Sequence, residues 1–317
     1  MTAKDTNFTL GEGSTSWLIC TLENSPVFSL YWLGLVTVVI LYCPVVLLFV
    51  WLSCCSICIK ICKITGILPV DPDSEQWRKL LQIHAFLISM LGKVLHGYEV
   101  YGMENLPKGP SILVYFHGGI PMDSFYFLQE VYRMTGRAYL SVMDHIFFLI
   151  PGVQTYITLL GGVHPSREEC VDLLKEGHAV NIAPGGLREQ NYSDKTYKLI
   201  WGKRHGFAQI AIKAKVPIIP YFTMNIQEAY RVWGNTWITR WLYERTRLLV
   251  FPVLGPLPVK LRTYIGEPIP YDPNITPEEL FEKAKAAVEA LRDKHQKIPG
   301  SIPRALWERF EVHRKEE

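Results

Sequence analysis

From Val27 to Ile59 the chain carries no charged residue, and the stretch is dense in Leu, Val, Ile, Phe, Trp and Tyr. A membrane-spanning helix needs about 20 apolar residues, and this run holds roughly a dozen more. No soluble fold buries so long a charge-free segment easily, so the run predicts a membrane anchor over residues 27–63. Pro44 lies near its middle, where the missing N–H would kink or break a helix. Two short helices forming a hairpin are favoured over one long, tilted and kinked span. A cleaved signal peptide fits poorly, because residues 1–26 are polar and no small-residue cleavage site follows. Lys60, Lys63 and Lys79 come after the run and place the downstream side in the cytosol. The sequon at Asn7 matters only if the N-terminus is lumenal.

Beyond the anchor, residues 64–96 read as an amphipathic linker helix with Asp73 as its N-cap. Lys93 and His84 argue against a second full span. Residues 97–317 alternate strands with helical stretches, which predicts an α/β domain. Its expected architecture is a mixed, mostly parallel sheet flanked by helices, attached to the N-terminal transmembrane or hairpin anchor. "ILVYF" from Ile112, "HAVNIAPGG" and "VPIIPYFT" read as buried strands, and "PVKLRTYIG" alternates as a half-exposed one. "ITPEELFEKAKAAVEALRDKH" is a helix with Thr276 as cap, Pro277 at its first position and Glu279 three residues after the cap. Its face of Leu280, Ala284, Ala287, Val288 and Leu291 is assigned to the core.

Composition excludes several classes. The formal net charge of 317 residues is +3, without basic runs or zinc-finger spacing, so nucleic acid is not a partner. Five of the seven cysteines lie in or beside the anchor: Cys43, Cys54, Cys55, Cys58 and Cys62. With no neighbouring His or acid, they do not make a metal site; palmitoylation is a separate expectation there. There is no G-x-S-x-G elbow, Ser166 lacks flanking glycines, and Cys170 has no paired base, so neither is expected to be a nucleophile.

The chemistry concentrates in "VYFHGGIPMDSFYF". His117 follows a strand end, the position at which α/β sheets open onto ligand crevices. An imidazole there can take a proton from a hydroxyl, and the Asp123 carboxylate is the candidate to orient it. Gly118 and Gly119 let the chain turn and a substrate approach. "GGVHPSR" places Arg167 after a glycine turn, "APGGLREQ" places Gly185, Gly186, Arg188 and Glu189 after another, and "WGKRHG" adds Lys203 and Arg204. Together these form a candidate substrate and phosphate site.

The blocks "FHGGIPMD", "GGVHPSR", "APGGLRE" and "AKVPIIP" occur in an order that resembles the glycerolipid acyltransferases of the lysophospholipid acyltransferase superfamily. The resemblance runs from the anchor nearly to the C-terminus. It implies an acyl-CoA co-substrate, no cofactor, a catalytic His117 and Asp123, and a place in the endoplasmic reticulum membrane with the catalytic domain facing the cytosol. Two departures stand out. The usual first block separates His and Asp by four residues, whereas five lie between His117 and Asp123. The third block usually reads Glu-Gly-Thr-Arg, whereas Gly185 and Leu187 stand here at the Glu and Thr positions, a form similar to diacylglycerol acyltransferases. The departure implies a neutral acceptor, a mono- or diacylglycerol. The alternatives are a lysophosphatidate or lysophospholipid acyltransferase, or a non-catalytic lipid-binding scaffold. Oligomeric state is left open.

Overall fold

The computed structural model describes residues 26–69, 74–150, 152–247 and 251–311. Asn7 and Asp73 lie outside them. The anchor is helix α1 (Pro26–Ile64), which runs through position 44 without reversing, so the hairpin expectation is not met. Its 39 residues extend about 58 Å, well beyond the thickness of a bilayer core. A chain this long can lose one backbone hydrogen bond at a proline and still gain more by continuing than by reversing in an apolar medium. The segment Val46–Ile64 is long and apolar enough to cross a membrane, with mean hydropathy 2.0. Before it Leu30 and Leu33 are 66% and 64% exposed.

The lower half of α1 rests on the domain. Helix α2 (Glu75–His96) is capped by Ser74, whose side chain accepts from the Trp77 amide, so the cap falls one residue after the expected Asp73. Ile59 of α1, Trp77 of α2 and Tyr156 form a small second core, and Lys63 Nζ stands 5.1 Å over the Trp77 ring.

The α/β domain is built on seven strands: β1 (Glu99–Tyr101), β2 (Ile112–Tyr115), β3 (Tyr139–Val142), β4 (Gly162–Val163), β5 (Ala179–Ile182), β6 (Ile218–Met224) and β9 (Arg262–Ile265), in the order β1-β9-β6-β2-β5-β3-β4. Neighbours pair in parallel except β6 with β9. A mostly parallel sheet was expected. β9 is fully buried rather than half-exposed, because β1 and β6 flank it. A two-stranded ribbon, β7 (Arg231–Val232) with β8 (Val253–Leu254), lies apart.

Side chains alternate across a strand, and β6 shows the two layers. Tyr221 faces helix α3 (Met122–Thr135), its ring 4.6 Å from that of Phe127. On the other face lie α6 (Arg167–Lys175), α8 (Gly206–Ala214) and α11 (Pro277–His295), packed on one another and on the sheet. α11 carries the expected Thr276–Glu279 capping box and Pro277 at its start. Leu280, Ala284 and Val288 are buried, with Ala287 and Leu291 packed beside them. α2 lies over α3. The run after β3 forms two short helices, α4 (Ile146–Leu149) and α5 (Gln154–Leu159).

Candidate active site

β2 and β5 are adjacent and parallel, so the loops at their C-terminal ends must meet. One loop carries His117 and the other Gly185. The C-terminal ends of β3 and β4 open beside them. Together these loops floor a cavity of about 1380 Å³, and α1 contributes one wall through residues such as Phe49, Trp51 and Leu52. The opposite rim comes from α10 (Trp237–Thr246), whose Tyr243 and Glu244 line it while Trp237 and Trp241 stand exposed outside.

His117 lines this cavity. Its Nδ1 is 2.7 Å from the Gly118 carbonyl oxygen. A carbonyl only accepts, so Nδ1 carries the proton and the Nε2 lone pair is free to act as a base. Desolvation outweighs that hydrogen bond and lowers the His117 pKa to about 4, so the ring is neutral at physiological pH. Its plane stacks on Tyr115, which stacks in turn on Tyr221.

Asp123 is placed elsewhere. It is 1% exposed and does not line the cavity. Oδ1 has no hydrogen-bond partner, and burial drives the carboxyl up to about 7 despite help from the Ser124 amide and the Thr223 hydroxyl. No hydrogen bond or ion pair joins it to His117 among the described residues. The expected orienting contact is therefore not made in this structure, and the Gly118 carbonyl fixes the tautomer instead. The spacing explains it. Asp123 already lies in the first turn of α3, where one extra residue swings a side chain by about 100°. That swing turns it toward the sheet and leaves Ser124 and Phe125 on the cavity side.

Glu189 also departs from its expected role. Rather than meeting substrate it is 0% exposed in helix α7 (Gly186–Tyr192). Its Oε2 accepts from the His117 amide at 2.9 Å and its Oε1 from the Ile200 amide at 2.7 Å. The carboxylate thus ties the catalytic loop to the segment before Trp201. Burial raises it to about 7, opposed by those amides and by the Trp201 side chain and Arg204. Gly185 is glycine for the same reason: a Cβ there would sit 2.3 Å from the Glu189 Cβ and 2.4 Å from its Oε2. Its φ of −69° would suit any residue.

Gly118 and Gly119 are also packing glycines. Added Cβ atoms would fall 2.7 Å from Ile226 and 2.3 Å from Val232, and neither residue lines the cavity. The His117 amide is engaged by Glu189 and the Gly186 amide by the Ala183 carbonyl, so neither is an oxyanion donor here. Gly186 and Arg188 do line the cavity.

The remaining basic residues gather next door. Arg167, Lys203 and Arg204 line a second depression of about 410 Å³, which shares Ala183 and Arg204 with the cavity. Arg167 is held by the Gln209 side chain at 3.0 Å, and Arg204 by the Gly185 carbonyl at 2.6 Å. Three cations around one hollow suit a polyanion. Ser166 caps α6 and accepts from the Glu169 amide. Cys170 is buried, its thiol pushed up to about 11 by desolvation. Neither is placed as a nucleophile. The wall from α1 and the residues of α10 carried no sequence signal for the site, because only the fold brings them to it.

An acyltransferase family profile matches residues 97–224. A protein of Bos taurus named "DGAT1/2-independent enzyme synthesizing storage lipids" is 43% identical over 99% of this chain and 98% of its own length. A human protein of the same name is 54% identical over 68% of this chain and 67% of its own length. Among solved structures, the 1-acyl-sn-glycerophosphate acyltransferase PlsC of Thermotoga maritima matches 78% of this chain and 97% of its own at a TM-score of 0.52; at 20% identity the likeness is one of fold. The chain belongs to the acyltransferase family, as a member of the lysophospholipid acyltransferase superfamily.

Proposed function

We propose that the protein transfers an acyl group from acyl-CoA to the hydroxyl of a neutral glycerolipid, a mono- or diacylglycerol, on the cytosolic face of the endoplasmic reticulum membrane. One observation carries the reading. The free Nε2 side of His117 faces an apolar cavity walled by the membrane helix, and a basic hollow adjoins that cavity. Lipid substrates and the acyl chain suit the first, and the phosphates of CoA suit the second. The neutral acceptor is supported by the Pro-Gly-Gly turn and by the storage-lipid names of the bovine and human relatives.

In the proposed reaction His117 Nε2 takes the hydroxyl proton as the alcohol oxygen attacks the thioester carbonyl. The tetrahedral intermediate collapses with loss of CoA thiolate, to which the imidazolium returns the proton. Desolvation makes the neutral ring a weak base and its cation a strong acid, so proton removal must accompany C–O bond formation. General base catalysis typically supplies 10² to 10⁴-fold, and alignment of the two substrates supplies a further share. Purified full-length protein in lipid nanodiscs, given labelled acyl-CoA and a panel of acceptors, should make labelled triacylglycerol from diacylglycerol. Labelled product from lysophosphatidate alone, or only free fatty acid, would defeat the proposal.

A further inference from the structure

On the cavity side of α3, Met122, Phe125 and Gln129 recur at helical spacing, and each lines the cavity. Gln129 is the polar member of this group, on a wall it shares with Leu52, Phe125 and Leu128. It is 7% exposed. Its Oε1 faces His84 Nδ1 of α2 at 3.1 Å, and His84 Nε2 lies 2.5 Å from the Tyr156 hydroxyl of α5. The hydroxyl donates to Nε2, and Nδ1–H donates to the amide oxygen. Desolvation, which lowers the His84 pKa, keeps the ring in the neutral form this chain of bonds requires. The relay fixes the amide with its oxygen engaged. Its Nε2 then makes no hydrogen bond among the described residues, on a side chain more than nine-tenths buried in an apolar wall.

An amide donor that opens onto an apolar cavity without a partner gains a hydrogen bond when the occupant supplies an acceptor. The occupant of the cavity is therefore expected to bring an acceptor atom to this point. Gln129 lies seven residues, about 10 Å, down the helix from Met122, and its side chain leans back toward the helix start. The acyl chain of acyl-CoA is hydrocarbon beyond its thioester, so it offers nothing to an amide so far from the reacting carbon. A glycerolipid acceptor does, because ester carbonyls stand a few bonds from its hydroxyl.

We infer that the Gln129 amide, held by His84 and Tyr156, is a binding site for an ester carbonyl of the acceptor lipid, and selects acylated over alkylated glycerols. The inference rests on the glycerolipid reading above. Its test uses the full chain in nanodiscs with two acceptors of equal chain length, a 1,2-diacylglycerol and a 1,2-dialkylglycerol that lacks both carbonyls. The wild type should favour the diester by roughly tenfold in kcat/KM, the scale of one hydrogen bond to a buried group. Gln129→Leu, and the unbranched Gln129→Met, should remove the preference by lowering turnover of the diester alone. Equal use of both acceptors by the wild type would overturn the inference, as would a preference that survives both substitutions. Loss of all activity in both variants would show that the amide holds the fold instead, and would equally end the inference. Failure of the wild type on both acceptors would strike the glycerolipid reading itself.

Discussion

The two hollows around β5 differ in the way their substrates must differ. The large cavity draws one wall from α1, and its exposed lining is mostly apolar. The small one is open and ringed by Arg167, Lys203 and Arg204, and takes none of its lining from α1. Arg204 and Ala183 are shared by both. Joining an oily alcohol to a thioester of an anionic carrier requires such a border, because neither environment solvates both partners. His117 belongs to the lipid side. In the proposed reaction the base works where water is scarce, and the basic hollow beside it takes the phosphates of CoA.

The most severe way to break this division is His117→Ala. Acyl transfer should fall by about 10² to 10⁴-fold or more, while the protein stays in the membrane with an unchanged unfolding temperature. Activity within a few-fold of wild type would remove the imidazole from the chemistry. Glu189→Ala should come next. It leaves two buried amides unpaired, at roughly 1–3 kcal/mol each, and frees the His117 loop, so kcat should drop with little change in KM for either substrate. Glu189→Gln, which keeps one acceptor oxygen for these amides, should retain part of kcat; a loss as complete as with Glu189→Ala would argue against a positioning role.

Arg167→Glu probes the anionic side alone. KM for acyl-CoA should rise roughly tenfold, as for loss of a charge-assisted contact, and the KM for diacylglycerol should hold. A rise in the acceptor KM instead would merge the two regions into one site. Asp123→Asn should be milder, within about tenfold, because burial pushes the carboxyl up to about 7, which leaves it about half neutral at pH 7, and Asn keeps its volume. A loss comparable to His117→Ala, near the 10⁴-fold seen when a triad carboxylate is neutralised, would show that the pair closes on substrate. The smallest expected effect is on pH. With the His117 pKa lowered to about 4, the ring stays unprotonated as pH falls through 6.5, so kcat/KM should lack the acid limb of an ordinary histidine. A limb near 7 would report protonation of Glu189 or Asp123, both of which are pushed up to that value.

Much of this was legible in the residues. The cap of α11, the strands β2, β5 and β6, and His117 at a strand end are all set by neighbours within a few positions, where dihedral preference and hydrophobic period act directly. Asp123 was legible as a residue but not as a direction, because the start of α3 decides which way its side chain turns. Glu189 was visible as part of a motif, yet its bond to the His117 amide spans 72 positions. The Gln129–His84–Tyr156 relay left no trace in the sequence, since three ordinary residues on three helices acquire meaning only when those helices touch.

By itself, then, the amino-acid order determined that this chain has a helix long and apolar enough to cross a membrane, an α/β domain of mostly parallel strands and an imidazole at the sheet's open edge, because hydrophobic period and turn chemistry are local. Tertiary structure alone decided that the apolar run continues as one helix and walls the cavity, that Gly118 rather than Asp123 holds the imidazole, and that Arg167 and Lys203 gather in a hollow beside the cavity. Those outcomes depend on which distant surfaces exclude water from one another, and no stretch of sequence contains both surfaces.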